Sequence, residues 1–149
     1  MAGLSEVIHL DQVMTKTALI VEDEIFVALD LERILIDAGY DVVAIAADTL
    51  SAMEACASTR QCAFAFVDVN LRDGPTGPEI ARRMACEHGI KVVFVTANPT
   101  QIGAGAGALG YVRKPFSERA ILAAAAACTD TASPANDDLV LLDGAGTAV

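Results

Sequence analysis

TALIVEDEIFVALDLERILIDAG, residues 17–39, is the stretch whose reading decides the fold. Four apolar residues, ALIV at 18–21, run without interruption, which suits a strand buried on both faces of a parallel sheet. Glu22 and Asp23 follow at once. Val27, Leu31, Ile34, Leu35 and Ala38 then recur at helical spacing, and Gly39 supplies a stop. A strand, a pair of acids at its carboxyl end and an amphipathic helix together make one β–α unit.

The unit repeats outward along the chain. Apolar runs recur at 42–46 (VVAIA), 63–67 (AFAFV), 92–95 (VVFV) and, more weakly, 110–112 (GYV). Leu50, Met53 and Ala57 form a helical stripe behind Asp48, a suitable N-cap. Ile80, Ala81, Met84 and Ala85 form another, opened by Pro78 and closed by Gly89. Ser117 caps a last helix with Glu118 in its first turn and Ile121, Leu122 and Ala125 facing inward. Five alternations of strand and helix within residues 17–129 predict a doubly wound α/β domain with a parallel sheet and helices on both faces.

One connection breaks the rhythm. Residues 98–110, NPTQIGAGAGALG, hold one proline, four glycines and only two bulky apolar residues, Ile102 and Leu109. Each glycine costs helix about 1 kcal/mol, so at most a turn of helix is expected. Residues 1–16 read as an N-terminal extension, with a short amphipathic helix over 3–14 built on Leu4, Val7, Ile8 and Leu10. Residues 130–149 read as a tail that is disordered, or that docks LVLL (139–142) on this domain or on a partner, because four exposed apolar residues in a row are unusual.

Composition narrows the function classes. At 149 residues, one domain is expected. The formal charge of −10 opposes direct contact with nucleic acid or anionic membrane, both of which call for a basic face. The hydrophobic fraction of 54% is inflated by 28 alanines, and no apolar run approaches the roughly 18 residues of a spanning helix. MAGLSEVIHLDQV lacks the basic start and apolar stretch of a signal peptide. Cys56, Cys62, Cys86 and Cys128 show neither CxxC pairing nor ligand spacing, so reduced, mostly buried thiols and a cytoplasmic location are expected.

In an open α/β sheet the ligand site lies outside the carboxyl ends of the strands. Glu22 and Asp23 follow the first strand, Asp68 the third, Thr96 the fourth and Lys114 the fifth. Three carboxylates at one sheet edge repel one another, and hard oxygen ligands of this kind suit Mg²⁺. A lysine and a hydroxyl beside them are what one places around a phosphoryl group. Phosphoryl transfer to a carboxylate is the chemistry expected, aspartate being a covalent acceptor of such groups. Singly, each residue has a structural reading as strand end, cap or surface charge; their arrival together at four strand ends carries the functional one.

The motifs LIVEDE (19–24), FVDVNL (66–71), FVTA (94–97) and YVRKPF (111–116) resemble those of a response-regulator receiver domain of bacterial two-component signalling, over roughly residues 17–128. The resemblance implies a flavodoxin-like fold, a five-stranded parallel sheet in the order 2-1-3-4-5. It implies that Asp68 accepts phosphate from a sensor histidine kinase. Asp23, Asp68 and the backbone carbonyl of Asn70 would bind Mg²⁺, with Glu22 assisting through water, and Thr96 and Lys114 would contact the phosphoryl oxygens. Tyr111 stands where the family's switch aromatic lies and would move with Thr96. Asn70 and Asn98 occupy the positions that tune hydrolysis of the acyl phosphate, and Lys114–Pro115 would be a cis peptide.

Three departures from the family pattern bear on this. Glu22 replaces the more frequent aspartate. The loop NLRDGPTGPE (70–79) has Arg72 in place of the usual proline and looks one residue longer, which resembles receivers partnered with a subset of histidine kinases. The stretch where the family's fourth helix belongs is shortened, as in some single-domain and stress-response receivers, which puts the usual output surface in doubt.

Several features are decoys. Gly105-x-Gly107-x-x-Gly110 spells a dinucleotide fingerprint but precedes a strand instead of following one. His9 and His88 lack metal-ligand neighbours. A stand-alone receiver is expected, not an enzyme, whose output runs through a downstream protein, a phosphotransfer protein or service as a phosphate sink. The alternatives are a phosphohydrolase of the haloacid-dehalogenase type, which wants an acid where Asn70 stands, and a binding module independent of phosphate. The oligomeric state is left open.

Overall fold

The computed structural model describes residues 17–59, 61–103, 107–129 and 136–142. The helix expected over 3–14 and His9 lie outside these residues, as does the tail at 130–135 and 143–149. Strands β1 (Thr17–Val21), β2 (Asp41–Ala46), β3 (Phe64–Val67), β4 (Lys91–Thr96) and β5 (Gly110–Arg113) alternate with helices α1 (Ile25–Asp37), α2 (Thr49–Ser58), α3 (Gly77–His88) and α4 (Glu118–Cys128). The sheet order is β2-β1-β3-β4-β5-β6, with the first five strands parallel. A sixth strand, β6 (Leu139–Leu141), pairs antiparallel with β5. The sheet therefore has six strands where five were expected; LVLL at 139–142 supplies the extra one.

Alternation along each strand sorts side chains between two cores. Leu19 and Val21 of β1, Val67 and Phe94 pack against Ala52, Cys56, Ile80, Ala81 and Met84 on one face. Ala18, Ile20, Phe64, Phe66 and Val112 pack against Leu31, Ile34, Leu35, Ile121 and Ala125 on the other. Phe64 meets Tyr40 and Phe66 edge to face, with ring centroids 5.4 and 5.6 Å apart, an arrangement favoured by the ring quadrupoles. β1, β3 and β4 lie inside the sheet, which is why their sequences are continuous apolar runs. β2 is an edge strand, and its VVAIA run is exposed and part-buried by turns, with Val43 36% exposed. Its apolar run does not mark burial on both faces, because only one neighbour, β1, covers it.

Local chemistry sets the helix ends. Asp48 accepts a bond from Ser51 N (2.9 Å) while Ser51 Oγ accepts one from Asp48 N (3.3 Å), a capping box. Ser117 caps α4 through Ala120 N. Gly89 ends α3 at φ 64°, the left-handed conformation that glycine adopts without a Cβ clash. The inward face of α2 differs from the expected stripe. Leu50 is 70% exposed, while Ala52, Ala55 and Cys56 are buried. Small side chains let α2 sit close to the sheet, so the bulky residue is the one turned outward.

Among its described residues, the 98–110 connection contains a 3-10 turn, Pro99–Gln101, and no longer helix. Ile102 and Ala108 are buried there, on the α2/α3 face of the sheet. Leu142, just past β6, packs on the same face, and Leu142 N donates to Leu109 O (3.0 Å). Cover that a helix would otherwise give β4 and β5 thus comes partly from a segment beyond α4. No helix among the described residues is long and apolar enough to cross a membrane.

Candidate functional site

Because β1, β3, β4 and β5 are parallel, their carboxyl ends open on one edge of the sheet. Glu22 and Asp23 leave β1, Asp68 follows β3, Thr96 ends β4 and Lys114 follows β5. The backbone stitches these ends together: Asp68 N donates to Val21 O (2.9 Å), and Lys114 N donates to Thr96 O (2.9 Å).

Glu22, Asp23 and Asp68 each bring a carboxylate oxygen within 4.8 Å of the others. Glu22 and Asp68 are buried, and Asp23 faces solvent. Asp68 Oδ1 accepts from Val69 N (2.7 Å) and Oδ2 accepts from Lys114 Nζ (2.8 Å). Lys114 Nζ also stands 2.7 Å from Glu22 Oε1. That contact is an ion pair without hydrogen-bond geometry, so Oε1 remains a buried oxygen with no hydrogen-bond donor. Burial pushes the Glu22 carboxyl up to about 7, although Lys114 and the Glu24 amide pull it back in part. Burial alone would lower the Lys114 ammonium, but its hydrogen bond to Asp68 and its close pairing with the Glu22 and Asp68 carboxylates outweigh that and raise it. Lys114 stays charged.

With all three carboxylates ionised, one ammonium leaves two negative charges uncompensated. A hard divalent cation fits this donor set on charge, on the all-oxygen ligands and on the undonated Glu22 oxygen. One water-facing acid beside two buried ones also suits an ion that keeps part of its hydration shell.

Thr96 is fully buried, and its Oγ1 accepts from Asn98 N (3.1 Å), so the hydroxyl is held toward the β4–β5 connection. Asn70 Nδ2 donates to Gln101 Oε1 (2.8 Å), tying the loop after β3 to the 3-10 turn. The Asn98 side chain is exposed. Tyr111 is half-buried beside the α2/α3 face, paired across the sheet with Val140. The Lys114–Pro115 peptide is cis. The sheet edge thus gathers the carboxylates of Glu22, Asp23 and Asp68 within 4.8 Å of one another, with Lys114 on Glu22 and Asp68, whereas Thr96, Asn98 and Tyr111 lie toward other partners.

Reading the sequence missed three contributors. Gln101 holds Asn70 from 31 residues away, a pairing with no local signature. Asp73 accepts from Thr49 N (3.1 Å) and from Thr76 Oγ1 (2.7 Å), fastening the loop after β3 to the start of α2. Gly77 begins α3 directly under the loop after β3, and a Cβ there would overlap Asp68 O and come 2.7 Å from Val69 Cα. The Gly-Pro pair at 77–78 was the available signal for that last one. Cys56 and Cys128 are buried, Cys62 is half-buried and Cys86 is exposed.

Such a sheet edge defines a class of protein, and comparison with known families gives its name. The family model of the response regulator receiver domain matches residues 18–126, and the chain belongs to that family. The transcriptional regulatory protein PdtaR of Mycobacterium tuberculosis is 31% identical over 110 residues, covering 72% of this chain and 53% of that protein. The phyllosphere-induced regulator PhyR of Methylorubrum extorquens is 27% identical over 92 residues, covering 62% of this chain and 34% of that protein. The chain therefore spans between a third and about half of the length of these relatives. Among solved structures, the receiver domain of Erythrobacter litoralis PhyR superposes with a TM-score of 0.70 at 26% identity, covering 81% of this chain and 95% of that one.

Proposed function

We propose that this chain is a phosphoacceptor module in which Asp68 takes a phosphoryl group from a sensor histidine kinase. The observation that carries this reading is the lysine shared between Asp68 and Glu22 at the mouth of three converging carboxylates. A carboxylate oxygen of Asp68 attacks the phosphorus of a phosphohistidine, the P–N bond breaks, and the imidazole leaves with the bonding pair. Glu22, Asp23, Asp68 and the carbonyl of Asn70 would hold Mg²⁺, which when bound offsets the negative charge gathered between acceptor and donor. Lys114 Nζ already lies on Asp68 Oδ2 and needs only a small shift to meet a phosphoryl oxygen. Thr96 Oγ1 would exchange its bond from Asn98 N for a bond to another such oxygen, with Tyr111 following. Asn70 and Asn98 are placed to influence the water that returns the acyl phosphate to aspartate.

The kinase needs a docking face. Ile25, Phe26 and Leu29, in the first turns of α1, are 56, 84 and 46% exposed. A groove of about 500 Å³ runs from Phe26 past Ala97 to Lys114 and Pro115. An apolar helix of the kinase laid here would bring its histidine toward Asp68. Output runs through a protein contact, a phosphotransfer protein or drainage of phosphate from the kinase.

Acetyl phosphate with Mg²⁺ should add one phosphoryl group to the intact protein, and Asp68→Asn should take none. Labelling of Asp68→Asn equal to the parent would overturn the assignment. Phe26→Asp should slow transfer from a phosphorylated kinase by at least about tenfold, the scale of one lost interface anchor, while leaving reaction with acetyl phosphate unchanged.

A further inference from the structure

An unpaired sheet edge is a template for another strand, and β5 is such an edge until β6 covers it. The cover is slight. Three residues pair, Gly110 with Leu141, Tyr111 with Val140 and Val112 with Leu139. Val140 and Leu141 remain 38 and 62% exposed. A turn starts the strand: Asp138 N donates to Asn136 Oδ1 (2.8 Å) and Leu139 N to Asn136 O (3.2 Å). It clips over the edge with Leu139 on the α1/α4 face and Leu142 on the other.

Gly110 is fitted to this cover. Its φ needs no glycine, yet a Cβ there would overlap Val140 O and stand 3.2 Å from Leu141 Cα and from the Val140 carbonyl carbon. These three nearest atoms all belong to β6. Glycine at this position therefore allows the close approach of the added strand.

The strand that carries β6 leads directly into the site. Lys114, on Asp68, comes one residue after β5 ends, and Tyr111 faces Val140 across the pair. A cavity of about 390 Å³ lies between them, lined by Tyr111, Lys114, Phe116, Asp138 and Val140. It gives the tyrosine ring room to move, and the shift of Lys114 and Thr96 at the sheet edge reaches β5 through the bond from Lys114 N to Thr96 O.

We propose that the β5 edge is a binding site for an extended apolar strand, filled at rest by residues 139–142 of this chain and vacated when Asp68 carries a phosphoryl group. The release half rests on the phosphoacceptor reading above; the site itself does not. Main-chain bonds supply the affinity of this antiparallel strand and alternate apolar side chains supply its fit.

Two measurements on the full chain test this. Leu139→Asp with Leu142→Asp empties the edge, and this variant should bind a labelled NDDLVLL peptide. Adding Gly110→Ala should abolish that binding. No binding to the emptied edge, or binding that ignores Gly110→Ala, overturns the site. Amide exchange of residues 139–142 should then quicken by about tenfold or more when acetyl phosphate and Mg²⁺ are added to the parent protein, as for a segment that opens locally. Gly110→Ala should show the faster exchange without phosphate. Unchanged exchange in protein whose intact mass shows the phosphoryl group overturns the release. Absence of that mass gain overturns the phosphoacceptor reading and the release together, while the peptide result still decides the site.

Discussion

Asp73 fastens two loops with one carboxylate. Hydrogen bonds from Thr49 and then from Thr76 hold it at about 2, below its ordinary 3.8. A depressed carboxylate favours the folded state above the unfolded value, and that contribution disappears as pH falls from 3.8 toward about 2. Asp73→Asn should therefore flatten the acid side of the stability curve in that window while changing its neutral side less steeply with pH. Urea midpoints at about pH 5, about pH 4 and about pH 3 read the difference. Lys114 illustrates the other residue-scale rule. A cation that could lose its proton on burial is kept charged by two carboxylates, so a single side chain offsets repulsion at the site and remains available to a phosphoryl oxygen.

At the scale of elements, the start of α3 is the least forgiving joint. Gly77 N donates to Val69 O (3.0 Å), and its Cα lies against the Asp68 carbonyl. Gly77→Ala must push backbone away from backbone, with no flexible side chain to yield. We expect a loss of about 2–3 kcal/mol, the upper range for overpacking, together with slower phosphorylation by acetyl phosphate, since Asp68 itself is displaced. Urea unfolding and the rate of mass gain check the two parts. Asp48→Ala should cost about 1 kcal/mol through loss of the α2 cap, with no effect on that rate beyond stability. The contrast separates a helix end that positions the acceptor from one that merely ends a helix. The β4–β5 connection belongs here too. Its glycines remove a helix, and the space is shared by Ile102, Ala108 and Leu142.

For the whole molecule, ligand linkage is the natural test of the acidic site. An ion that binds only the folded state adds stability by mass action, about 2.7 kcal/mol at a hundredfold excess over Kd. For a domain of this size, that raises Tm by about 5–10 °C. We expect such a gain on adding Mg²⁺, its reversal by EDTA, and most of it lost in Asp23→Asn. Asp23 is exposed, so that variant should fold as the parent does. Calorimetry with and without the ion reads all three.

The sequence by itself determined the alternation of strands and helices, the two-sided burial of β1, β3 and β4, the capping roles of Asp48 and Ser117, and the five polar residues at the strand ends. Those features are local: a continuous apolar run, a helical stripe or a residue next to a strand can be read in a window of a few residues. Tertiary structure alone decided that VVAIA lies at an edge, that α2 buries alanines and turns Leu50 out, that Gln101 holds Asn70, and that LVLL becomes a sixth strand. Each of these depends on what lies across the sheet or across a loop, at sequence separations that no local pattern encodes. The site shows both at once. Its residue types were legible because parallel strands deliver their carboxyl ends to one edge. The lysine bridging two acids, and the glycine that admits a strand beside it, appear only when the chain has closed on itself.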